Sequence, residues 1–109
     1  MNARTEVQIP RACVPGAIDC EVRGAHFQLI DQLFHQQLLE QTELDDGFAF
    51  RFDAENLETL GRFIANERKC CPFVSFVLSV APGADSVWLH VTGPAGTKEV
   101  LQAELALRE

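Results

Sequence analysis

Two cysteines stand side by side at Cys70-Cys71, preceded by Glu67-Arg68-Lys69 and followed by Pro72-Phe73. Adjacent thiols are soft donors that can grip one thiophilic metal ion or a trivalent metalloid, for which sulfur outcompetes oxygen and nitrogen. They close a disulfide with each other only through a strained eight-membered ring, so a resting vicinal bond is not expected. The spacing is not Cys-x-x-Cys, which leaves a zinc ribbon and a thioredoxin-like motif without support. Glu67 lies one helical turn before the pair and brings a carboxylate within reach as a third ligand or proton acceptor. The competing reading of Glu67 is a surface ion pair with Arg62, Arg68 or Lys69. Cys13, set between Pro10 and Pro15, is the candidate third sulfur if the amino-terminal arm returns to the pair. Cys20 suits a small packed side chain better. For every cysteine the alternative is burial as a small hydrophobe.

Local electrostatics do not favour an activated thiolate. The carboxyl end of a helix carries partial negative charge, which opposes the help given by Arg68 and Lys69. Coordination is therefore the better chemistry for the pair, and nucleophilic catalysis the weaker one.

The elements that must position these residues can be read from the apolar spacing. Residues 1–16 read as an extended arm and 17–109 as one α+β domain; 109 residues with 47% hydrophobic content suffice for a core without staples. Val22, Leu29, Ile30, Leu33 and Phe34 give a first helix over about 22–37. Asp45-Asp46-Gly47 turns the chain into alternating Phe48, Phe50 and Phe52, a hairpin signal. Asp53 caps a second helix with Leu57, Leu60, Phe63, Ile64 and Cys71 on its apolar side, and Pro72 ends it.

Val74, Phe76, Leu78 and Val80 alternate before a turn at Pro82-Gly83, and Val87, Leu89 and Val91 return. A last helix is expected from Thr92-Gly93-Pro94 onward, with Val100, Leu101 and Leu105 buried. The order α-ββ-α-ββ-α predicts two hairpins in a mostly antiparallel four-stranded sheet with helices over one face. Trp88 and His90 fall on the opposite face, where a second subunit or the last helix would cover them, so a homodimer is a candidate assembly.

Charge and cysteine usage bound the setting. A net charge of -7 repels phosphate backbones and anionic lipid, which argues against nucleic-acid or membrane partners. No long apolar run and no secretory pattern at the start place the chain in the cytoplasm, where cysteines act as thiols, ligands or redox groups. Gly93-Pro94-Ala95-Gly96-Thr97-Lys98 has a phosphate-loop flavour but lacks the Walker spacing, and a tight turn explains it. His26, His35 and His90 show no ligand spacing and read as ordinary polar residues.

Glu67-Arg68-Lys69-Cys70-Cys71-Pro72-Phe73, the following strand pair and Leu89-His90-Val91-Thr92-Gly93-Pro94-Ala95-Gly96-Thr97-Lys98 together resemble a group of small bacterial proteins without an established activity. These carry Glu-Arg-x-Cys-Cys-Pro-Phe followed by Thr-Gly-Pro-x-Gly-x-Lys. The likeness runs from Phe48 onward and is looser before it. Cys13 matches the single early cysteine of the group, and the resemblance implies an association with heavy-metal or metalloid resistance. The leading expectation is thus a thiol-based soft-metal or metalloid binder with Cys70, Cys71, Cys13 and Glu67 at the site. A structural or regulatory interaction module and a thiol redox enzyme are the alternatives.

Overall fold

A computed structural model describes residues 20–107, with side chains from residue 24 onward. The chain runs through α1 (Cys20–Asp31), a π-helical turn (Gln32–Gln37), β1 (Leu38–Leu44), β2 (Gly47–Asp53), a 3-10 turn (Ala54–Asn56) and α2 (Leu57–Cys70). It continues through β3 (Ser75–Ser79), β4 (Ser86–Thr92) and α3 (Thr97–Glu104). This is the α+β order expected, with β1 and β2, then β3 and β4, forming antiparallel hairpins.

The sheet order is β1-β2-β4-β3. The second strands of the two hairpins meet at its centre, where β2 pairs antiparallel with β4 through Phe48↔Val91, Phe50↔Leu89 and Phe52↔Val87. All six side chains are buried on one face. The period-two alternation therefore sends one apolar row from each central strand into a shared core. Gly47 starts β2 against β4, and a Cβ there would collide with the Val91 carbonyl.

The helices cover that face. Ile30, Leu33 and Phe34 from the first helix, Leu60 and Phe63 from α2, and Leu101 and Leu105 from the α3 region join the strand residues in one cluster. Phe34 is its hub, with edge-on contacts to Phe50 and Phe52 at centroid distances of 4.9 and 5.6 Å and a tilted contact to Phe63 at 5.1 Å. α3 thus packs on the core face and does not cover Trp88. Trp88 and His90 lie side by side on the opposite face, over a shallow depression with Thr42, Leu44 and Ala49.

Two boundaries differ from the sequence reading. The first helix reaches Gln37 as expected, but its last turn widens into π geometry. The last helix begins at Thr97, not at Pro94. Gly96 adopts φ 95°, and Thr97 donates from both N and Oγ1 to the Pro94 carbonyl, closing a turn before the helix starts. Lys98 Nζ sits 2.6 Å from Glu43 Oε2, with Asp45 and Asp46 alongside, an acidic setting that suits a turn and not a phosphate cradle.

His35 in the π turn ties α1 to the end of α3. Its Nδ1 lies 2.8 Å from Asp31 Oδ1 and its Nε2 3.0 Å from the Leu105 carbonyl. Both partners are acceptors, so only the imidazolium donates to both. The Asp31 hydrogen bond, followed by that of Leu105, raises the His35 pKa above its ordinary 6.5. This contribution to stability should be complete below about pH 6.5 and vanish as pH rises through the raised value. Histidine NMR titration is expected to show this shift, and Asp31→Asn to reduce it.

Candidate metal centre

α2 ends at the cysteine pair because the chain is pushed out of helical geometry before Pro72. Cys70 is the last helical residue; Cys71 has φ -122° and ψ 76° while its N–H still donates to the Glu67 carbonyl at 2.7 Å. That last bond folds the Cys71 side chain back under the helix. Cys70, Cys71 and Phe73 form a small buried cluster of their own, closed by Val74 and by Val100 of α3.

Four donor atoms converge there. One atom each from Glu67, Cys70, Cys71 and Glu104 lies within 4.8 Å of all the others. Cys71 Sγ is 3.3 Å from Glu67 Oε2, Cys70 Sγ is 3.7 Å from Glu104 Oε2, and the two sulfurs are 3.8 Å apart. For metal–sulfur bonds of about 2.3 Å, two tetrahedral ligands stand roughly 3.8 Å apart. The spacing of the sulfurs therefore matches a shared ion. The cluster is consistent with thiol-based binding of a soft metal ion or metalloid.

Glu67 is 1% exposed, which overturns its reading as a surface ion pair with Arg62, Arg68 or Lys69. Its partner is His26, whose Nε2 lies 2.7 Å from Glu67 Oε1. His26 is fully buried and stacks on Phe63 at 5.8 Å, so it is not the ordinary polar residue expected either. One carboxylate oxygen of Glu67 thus faces the histidine and the other faces sulfur. The His26 contact fixes the orientation of the carboxylate.

Glu104 comes from the last turn of α3 and is half-buried. Burial raises its carboxyl pKa, and the Glu67 carboxylate nearby adds to the rise; the Cys70 thiol and His26 oppose it. Two carboxyl groups in so small a volume leave room for a positive charge between them.

Cys71 is disulfide-bonded. The expectation of a thiol at both positions therefore does not hold for Cys71. Cys13 lies outside the described residues, and so does the Cys20 side chain. Sequence reasoning missed His26 and Glu104. Both carried a signal: His26 sits three and four positions before Leu29 and Ile30 on the apolar stripe, and Glu104 lies one turn after Val100.

No family model, curated protein or solved structure matches the chain. Among the described residues no helix is long and apolar enough to cross a membrane.

Proposed function

We propose that this chain binds a soft metal ion or metalloid in the cytoplasm, with Cys70 and Cys71 as sulfur ligands and Cys13 as a third. Glu67 and Glu104 supply the carboxylate side of the site. The observation that carries this reading is the convergence of two sulfurs and two carboxylates from α2 and α3 within 4.8 Å. An ordinary packed cysteine needs no carboxylate beside it; burying two acids against two sulfurs costs stability unless something positive joins them.

A reducing compartment suits the reading, because a thiolate ligand at Cys71 requires its disulfide to be open. The donor set selects the ion. Sulfur favours mercury(II), copper(I) or arsenite over calcium or magnesium, and zinc is the borderline case.

Titration of the reduced protein with mercury(II), copper(I), zinc and arsenite is expected to show one tight site for at least one of them. The double variant Cys70→Ser, Cys71→Ser should bind the same ion at least a hundredfold more weakly, by analogy with loss of metal-site partners. Equal binding by both proteins would refute the assignment.

A further inference from the structure

We propose that β3 is the surface at which two copies of this chain join, strand against strand, into one continuous sheet. This goes beyond the soft-ion reading and does not depend on it. Among the described residues β1 and β3 are the two edges of the sheet. A sheet edge offers unpaired backbone N–H and C=O groups to any strand that comes alongside. The two edges are built differently. β1 is blunted: its register against β2 shifts between Leu38 and Glu40, and Glu40 and Glu43 place charge along it. β3 carries neither device. Its register against β4 is unbroken from Ser75 to Ser79, and residues 70–84 contain no Asp, Glu, Lys or Arg in a chain that is 23% charged.

The strand's own sequence selects a second copy as the occupant. Val74-Ser75-Phe76-Val77-Leu78-Ser79-Val80 reads as the same pattern in both directions: valine, serine, large apolar, valine, large apolar, serine, valine. A twofold interface presents one patch to itself, so that residue i meets j and j meets i. Antiparallel pairing centred on Val77 satisfies this along the whole segment. Val77 faces Val77 of the second copy, Phe76 faces Leu78, Ser75 faces Ser79 and Val74 faces Val80. Every pair matches in polarity, which supports the pairing of antiparallel strands. The net charge of -7 on each copy opposes approach elsewhere, and this edge is where that charge is missing.

Burial follows the same pattern. Val77 and Val80 are 55% and 56% exposed, and Ser75 and Ser79 are exposed beside them. Phe76 and Leu78 are only partly buried at the flank of the core, with Phe76 edge-on to Phe63 at 6.3 Å. Pairing lays Leu78 of the second copy against Phe76 and carries the core across the twofold axis. On the other face Val77 lies opposite His90 and Ser79 opposite Trp88 in β4, so the outer row continues through the seam. Because β1 is blunted, assembly closes at two copies and does not run on as a filament.

The test is sedimentation of the full chain without added metal, over a dilution series down to micromolar concentration. The parent protein is expected to show twice the 12.1 kDa of one chain. Val77→Lys and Val77→Glu should each weaken the dimer by roughly a hundredfold or more, because residue 77 meets itself and sets like charges face to face. The exposure of Val77 leaves the core of each copy untouched, so far-ultraviolet circular dichroism should not change. Mixed in equal amounts, the two variants should dimerise again, since lysine then meets glutamate.

A monomeric parent protein would overturn the proposal and mean that this edge is covered within the chain or by a different partner. A dimer that survives both single variants would place the contact elsewhere, on the Trp88 face for example, and overturn it as well. So would a mixture that stays monomeric, because the pairing is then not centred on Val77. A dimer that persists in denaturing electrophoresis without reductant is a disulfide between chains and not a strand pair, and it too would overturn the proposal.

Discussion

Replacing Glu67 by alanine is expected to lower the stability of the domain by about 3 kcal/mol, the scale for leaving one partner of a buried hydrogen-bonded ionisable pair behind. His26 is fully buried, and its Nδ1 has no hydrogen-bond partner among the described residues. Its Nε2 depends on Glu67 at 2.7 Å. Without that carboxylate both ring nitrogens are stranded against Phe63, and the ring cannot turn to water without opening the core. Glu67→Gln keeps an acceptor and should cost about 1 kcal/mol, the typical value of one hydrogen bond. Urea denaturation of the two variants checks the order. If the alanine variant is no less stable than the glutamine variant, the His26 contact carries no weight in the fold. A double-mutant cycle with His26→Ala then isolates the pair.

A loss of similar or greater size is expected for Phe50→Ala, about 3 to 5 kcal/mol. Phe50 is fully buried at the centre of β2, beside β4 and edge-on to Phe34. Removing it takes away the transfer energy of a large side chain and leaves a cavity lined by strand and helix that cannot both close over it. Each kcal/mol lowers the midpoint of a domain this size by roughly 4 to 8 °C, so thermal melting followed by circular dichroism should show a fall beyond about 12 °C. A fall of only a few degrees would mean that the helices settle onto the sheet without this ring.

The parts of the fold that were legible in the sequence are those governed by local periodicity. Phe48, Phe50 and Phe52 alternate because one face of β2 is buried, and Asp45-Asp46-Gly47 supplies the turn that β1 and β2 need. Pro72 stops α2 where a proline must. Strand order was not legible, because β2 pairs with β4 through side chains that would also fit another neighbour, and nothing local distinguishes them. The π turn after Asp31 and the late start of α3 are likewise tertiary outcomes, the first set by His35 reaching Leu105 and the second by Gly96 at positive φ.

The candidate site divides along the same line. Cys70, Cys71 and Glu67 were legible because they lie within one helical turn of each other. Glu104 and His26 were not, because α3 and α1 deliver them from distant parts of the sequence. The competing reading of Glu67, a surface ion pair among charged neighbours, fails because the residue is buried. Its side chain points inward while Arg68 and Lys69 point out, a difference of one position around the helix.

The central seam between β2 and β4 also has a kinetic meaning. Each hairpin consists of neighbours in sequence and can form early, whereas the seam joins opposite halves of the chain and must wait for a long loop to close. α2 lies within that loop and α3 follows it, so Glu67 and Glu104 face each other only after the seam has formed. An ion that needs both carboxylates therefore recognises the finished chain and not its halves. Its binding would draw the folding equilibrium toward the native state, by about 4 kcal/mol when the free ion stands at a thousand times its dissociation constant.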